Sequence, residues 1–385
     1  MRLLYLGSLT SIFSWSYVQA LSESGFELSI INTSKEEHFE NLFGIEVLNI
    51  YPERRNKRIW FFIKKIIKYL KIDTSILFIK YLKFLEKEKV KEFENNMVSY
   101  IADINPGVCF SFWGTCTFNE IEVIKEHFPN IKVILDINTY PVREKIKFDE
   151  IGEFINDDMR VFNQIDGLIF TSEIMKDYFS KYINLERKKN IIFYDSFISK
   201  LYSTEELTIN DEDKLKLVFL GNTEFKNRTI DDVRSQIYDL ANRGIEIFVQ
   251  EPAVGLLPHK NINIFKTFSF DEIYNGELGK FISKFDGIIV FYNDFNDLRT
   301  NISIPTRFSL GLCGRIPIII EKGKFLAIEE IFSIKENLYL YNNIDEIITD
   351  FKVNKTNYKN NAFKFSNTTE LENRMGLLNS FILNI

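Results

Sequence analysis

Cysteine is scarce. Three residues, Cys109, Cys116 and Cys313, supply neither a metal framework nor a set of disulfides. Cys109 and Cys313 lie in apolar runs and read as core positions, so a reducing, cytoplasmic compartment fits. Positive charge is not in excess either: a formal net charge of −6 gives no support to nucleic-acid binding. There is no uninterrupted run of about 18 apolar residues, so no membrane-spanning helix is expected. Met1–Leu6 and the later Val18–Ala20 have the look of a secretory leader, but Gly7–Ser11 breaks the apolar run early. Leu3–Leu6 reads instead as a first strand that turns at Gly7. No Gly-x-Gly-x-x-Gly follows that strand, which argues against a dinucleotide there.

The chain does have length and alternation. Its 385 residues are too many for one core and suit two α/β domains, and a hydrophobic content of 45% with 26% charged residues is that of a globular protein. Leu3–Leu6, Ile12–Ser24 and Glu27–Ile31 read as strand, helix, strand, a Rossmann-like opening. Val108–Phe112 is a further strand, with Trp113 in its exit loop. Ile131–Leu135 is another and ends at Asp136-Ile-Asn138. Two successive strands that end in polar loops on one edge build a crevice at their carboxyl ends. After a helix over Phe154–Gln164 and strands at Leu168–Phe170 and Ile191–Tyr194, the chain turns polar, and Asn210–Asp213 reads as solvated linker. A second alternating series begins at Lys216–Leu220. The expected architecture is two Rossmann-like domains facing a central cleft. Residues 1–197 form the first and 215–365 the second, with a linker at 198–214 and a closing helix within 366–385.

The most informative stretch runs from Ile288 to Ile320: a buried strand, a long polar loop, a short helix and a second buried strand. Pro305 can open that helix because its missing N–H has no partner to lose. Gly314 can end it, and Pro317 cannot continue it. The loop gathers Ser303, Thr306 and Arg307 at a helix N-terminus, where free N–H groups, a positive dipole end and a guanidinium suit a phosphate.

The run Pro305-Thr-Arg-Phe-Ser-Leu-Gly-Leu-Cys-Gly-Arg-Ile-Pro317 and its following apolar strand resemble the donor-side motif of GT-B glycosyltransferases, family 4-like enzymes of bacterial surface polysaccharide synthesis. Many retaining members carry a ribose-holding glutamate three residues after the Lys/Arg. Leu310 stands there instead, and Gly314 is one residue out of register with the usual Gly-x-Pro. The resemblance implies a metal-independent hexosyltransferase without a cofactor, taking a nucleotide-sugar donor in the second domain and a glycan or lipid-linked acceptor in the first. It implies donor contacts from Asn222, Lys226, Arg228, Ser303, Thr306 and Arg307, with Glu321 replacing the missing glutamate. It implies acceptor contacts from Ser8, Trp113 and Asn138. Asp136 becomes the candidate base or orienter of the attacking hydroxyl, its alternative being a strand-end turn residue. The terminal helix is expected to cross back to the first domain. A glycan-binding partner subunit without catalysis, a nucleotide-sugar epimerase of the same fold and a two-domain periplasmic binding protein are the rival classes.

Residues 54–71 alternate basic and large apolar side chains without an acid. On a helix, Ile59, Phe62, Ile63, Ile66, Ile67 and Leu70 share one face and the lysines lie largely elsewhere, a composition suited to an anionic membrane surface. The expected location is therefore the cytoplasmic face of the plasma membrane, bound peripherally.

Overall fold

The computed structural model describes residues 1–34, 37–51, 93–140, 151–207, 214–225, 232–293, 298–332 and 337–385. Two sheets organise them. The first holds β1 (Arg2–Gly7), β2 (Glu27–Asn32), β3 (Asn41–Leu42), β4 (Ile45–Asn49), β5 (Val108–Ser111), β6 (Lys132–Ile137), β7 (Gly167–Phe170) and β8 (Lys189–Ile192). Its order is β3-β4-β2-β1-β5-β6-β7-β8, parallel throughout except at the β3–β4 hairpin. The second holds β9 (Lys216–Phe219), β10 (Glu246–Gln250), β11 (Ile262–Phe265), β12 (Gly287–Ile289), β13 (Ile318–Glu321) and β14 (Leu338–Tyr341), all parallel, in the order β11-β10-β9-β12-β13-β14.

Most of these strands are short apolar runs because both faces of a parallel sheet are covered. Side chains alternate between two cores. Leu3 and Tyr5 of β1 join one cluster, Leu4 and Leu6 the other. In β9, Leu217 and Phe219 face a cluster confined to the second sheet. Val218 faces the cluster that also holds Leu3 and Tyr5. One apolar cluster therefore runs from the inner face of the first sheet to the inner face of the second.

The segment expected as a linker, 198–214, is not simply solvated. Phe193, Phe197, Ile198, Leu201 and Tyr202 are buried in the shared cluster, and the polar run 208–213 lies outside the described residues. The final helix, Met375–Leu383, packs against the Ile12–Glu23 helix, and Asn379 donates to Ser24 Oγ at 3.0 Å. The preceding turn is tied by Leu371 N–H to the Phe197 carbonyl at 2.8 Å. Arg374 donates to the Tyr194 carbonyl at 2.6 Å.

The register aligns the strand ends of the first sheet: Leu6 pairs with Ser111, Ser111 with Leu135 and Ile137 with Phe170. The loops that follow β1, β5, β6 and β7 thus emerge on one edge. They meet the loops that follow β9, β12 and β13 of the second sheet. Tyr140 N–H donates to Ser303 Oγ at 3.3 Å across that junction. The carboxylate of Glu330 accepts the Glu173 and Ile174 N–H groups at 3.0 Å each, capping the helix Glu173–Ser180 from the other domain.

Candidate donor site between the two sheets

The chain leaves β12, forms a helix at Leu298–Ile302, turns, and enters the helix Thr306–Cys313. Pro305 is the cap of this second helix and supplies no side-chain cap hydrogen bond. The helix ends where the sequence suggests, but for a different reason. Gly314 is right-handed at φ −74°; it is glycine because a Cβ there would stand 2.2 Å from Ile282 Cγ2. The left-handed residue is Arg315, at φ 56°. The turn thus uses a left-handed arginine directly after a right-handed glycine.

A cavity of about 280 Å³ lies against this helix start. Trp113 and Thr139 line it from the first domain. Gly221, Asn222, Tyr292, Phe325 and much of the 299–307 segment line it from the second. Among these lining residues are two arginines, Arg299 and Arg307, and no carboxylate. In a chain of net charge −6, that is a locally positive site.

Arg307 is almost fully buried, at 4% exposure. Its Nη1 donates to the Phe291 carbonyl at 2.8 Å and its Nη2 to the Asn222 carbonyl at 3.3 Å. The guanidinium carbon lies 4.7 Å from the Phe219 ring centre and 4.6 Å from that of Tyr292. These contacts fix a planar cation at the ends of β9 and β12. The loop passes close by: a Cβ on Gly221, itself at φ +102°, would fall 2.5 Å from Arg307 Nε.

No family model matches the chain, and no curated protein matches it. Solved structures do. The lipopolysaccharide outer core galactosyltransferase WaaB in its apo form is 9% identical with a TM-score of 0.61, covering 100% of this chain and 99% of its own. HepE of Anabaena in complex with UDP is 10% identical with a TM-score of 0.60, covering 99% and 100%. A UDP-forming trehalose-phosphate synthase from Burkholderia xenovorans is 6% identical with a TM-score of 0.64, covering 100% and 99%. The chain has the GT-B fold.

Within this GT-B frame the residues singled out from sequence separate into groups. Asn222, Ser303, Thr306, Arg307 and Trp113 all line the cavity. Asn222 Oδ1 accepts the Glu224 N–H at 3.0 Å, shaping the loop that presents the carbonyl to Arg307. Asn138 adjoins the lining residue Thr139; it is 5% exposed and its Oδ1 has no hydrogen-bond partner among the described residues. Trp113 Nε1 is likewise buried and unpartnered, and Trp113 holds the left-handed conformation at φ 54°. A left-handed backbone and an unpartnered indole N–H at a cavity wall are features that call for an explanation. Lys226, Arg228 and the basic stretch 54–71 lie outside the described residues.

Three of the expected site residues are not among the cavity's described lining residues. Ser8 is not in the cavity wall: its Oγ pairs with Thr10 Oγ1 at 2.8 Å within its own loop. Glu321 ends β13 beside Lys324, 3.9 Å away, and Phe325 rather than Glu321 reaches the cavity. Asp136 is fully buried and absent from the lining, with neither carboxyl oxygen partnered. It lies two residues from Ile134 on β6, on the face whose side chains join the cluster shared by both sheets. Burial, and then the negative charge of Asp195, push its carboxyl well above the usual range. Asp195 was not foreseen. It accepts from Tyr17 Oη at 3.0 Å, and burial pushes it up to about 7.

Arg299, Thr300, Tyr292 and Phe325 were also missed. The loop 293–305 reads as polar, yet Leu298 and Ile302 within it are buried, Leu298 at 0%. Their i, i+4 spacing was the available signal for a helix.

Proposed function

We propose that the chain is a glycosyltransferase that moves a sugar from a nucleotide-sugar donor to a glycan or lipid-linked acceptor in the synthesis of a cell-surface polysaccharide. The observation that carries this reading is the cavity itself. It is a cleft between two Rossmann-like sheets, with two arginines and an uncapped helix start converging on it and no carboxylate among its described lining residues. A diphosphate is the group such a site suits. The neighbours support the same reading: HepE was solved with UDP and with UDP-glucose, and WaaB is a lipopolysaccharide galactosyltransferase.

In this reading the diphosphate sits over the start of the Thr306–Cys313 helix, where Arg307 and the first-turn N–H groups stabilise the charge that develops as the glycosidic bond to the donor breaks. Asn138 and Trp113, on the opposite wall, orient the acceptor hydroxyl. The arginines meet the leaving-group charge without a divalent ion. Residues 54–71 would hold the enzyme on an anionic membrane, close to a lipid-linked acceptor; among the described residues no helix is long and apolar enough to cross one.

The test is calorimetry with UDP, GDP, CMP and their common sugars, followed by transfer of labelled sugar to acceptor extracts with and without EDTA. Selective binding of one nucleotide and EDTA-insensitive transfer are expected. Binding without any transfer or donor hydrolysis would favour the non-catalytic partner subunit, whose motif has lost the family glutamate at Leu310.

A further inference from the structure

Arg299 belongs by sequence to the second domain and by packing to the first. Its helix, Leu298–Ile302, lies between β12 and β13 in the chain. Yet Leu298 and Ile302 are buried members of the cluster that holds Leu4, Leu135 and Phe170 of the first sheet. Every other buried member of that cluster comes from residues 4–183. The first domain also grips the backbone of this segment. Ser172 Oγ donates to the Ile302 carbonyl at 3.3 Å, and Tyr140 N–H to Ser303 Oγ at 3.3 Å. The segment is therefore a bracket. Its apolar residues dock on one domain while Arg299 and Thr300 turn to the cavity, facing Arg307 on the other. Arg299 is also near enough to the Cys116 thiol, in the loop after Trp113, to oppose the upward push that burial exerts on it.

We propose that Arg299 is the second cation of the anion site, held in place by the first domain, so that a nucleoside diphosphate is gripped by Arg299 and Arg307 across the domain boundary. This rests on the donor-site reading given above. Arg307 spends two of its N–H directions on the Phe291 and Asn222 carbonyls and cannot enclose a diphosphate alone. A second guanidinium from the far wall completes the enclosure, and the charge-complementary ligand is one with two adjacent phosphates. Affinity then depends on the docking of Leu298 and Ile302, which never touch the ligand.

The experiment measures UDP, UMP and uridine binding by calorimetry in the parent, Arg299→Ala and Arg299→Lys, with GDP and CMP as alternative nucleotides. Arg299→Ala is expected to weaken UDP by roughly 10- to 100-fold, the range for losing a charge-assisted hydrogen bond, while leaving uridine within about twofold. Arg299→Lys should recover part of the loss. Cys116 supplies a second readout, being exposed where Cys109 and Cys313 are buried. Saturating UDP should slow its alkylation by a maleimide in the parent and much less in Arg299→Ala. Equal UDP affinity in parent and Arg299→Ala overturns the proposal and leaves the donor reading standing. Equal losses for UDP and uridine also overturn it, showing that Arg299 only supports the fold. Failure of the parent to bind UDP, GDP or CMP overturns the donor reading, and this proposal with it.

Discussion

Arg307 is more tightly held than a surface cation would be, stacked between two rings and bonded to two carbonyls. A lysine in its place keeps the charge but loses the stacking and one carbonyl contact. Arg307→Lys is expected to abolish measurable nucleotide binding and to lower stability by about 1–3 kcal/mol, read by calorimetry and urea titration. The same residue shows what the sequence made legible. Pro305, Thr306 and Arg307 announce a helix start and a cation, and both are there. The two rings close to the guanidinium belong to Phe219 and Tyr292 on other elements, and the local helix-start pattern does not contain that contact. The burial of Asp136 is a related case: its position at a strand end was readable, but a strand residue has two faces, and only the packed sheet brings it near Tyr5 and Asp195.

The Asp136–Asp195 pair has a consequence for pH. Both carboxyls are raised above their unfolded values by burial. Between roughly pH 4 and pH 7 the folded chain therefore keeps protons that the unfolded chain has released, so their contribution to stability falls as pH rises through that window. Above it Asp195 is ionised in both states and its penalty is complete. Thermal unfolding of the parent should move to higher temperature as pH falls from 8 to 5.5. Asp136→Asn should raise the melting temperature at pH 8 and flatten that slope. A parent that loses stability steadily over the same acidification would refute the account.

Among the elements, the Thr306–Cys313 helix is set by contact rather than by propensity. Its end at Gly314 is closed against Ile282, and Arg315 carries the left-handed turn while pairing with Glu370 at 3.2 Å and with Asn367. Gly314→Ala should cost about 1–3 kcal/mol through overpacking, measured by urea titration, and should weaken nucleotide binding as the helix shifts. The regular strands on either side were legible because short β-branched runs bounded by turns have few alternatives. The bracket at 298–302 was not, because five residues in a polar loop hold only two apolar positions. Those positions acquire meaning only when the other domain is there to receive them. The β3–β4 hairpin was also missed, its first strand being two residues long.

For the molecule as a whole, the two-domain plan could be read from the alternation of strands and helices, and the cleft from the strand ends. The stretch 54–71 makes a separable prediction. The parent should sediment with vesicles containing anionic phospholipid and less so at high salt, while a variant with the lysines at 64, 65, 68 and 71 replaced by glutamine should stay in the supernatant, each basic residue contributing about 1 kcal/mol. Equal sedimentation of parent and variant would exclude a membrane role for those lysines.

The apolar cluster that crosses from one sheet to the other has a consequence for how the protein melts. GT-B halves look like independent modules, and multidomain chains commonly unfold in steps. Here the inner faces of both sheets, the buried strap at 193–202 and the returning final helix are parts of one hydrophobic body. Neither half can be cut free without laying bare the core of the other. Differential scanning calorimetry should show a single endotherm whose calorimetric and van't Hoff enthalpies agree, and residues 1–197 expressed alone should aggregate. Two resolved endotherms would mean that the shared cluster is only an interface between two self-sufficient folding units.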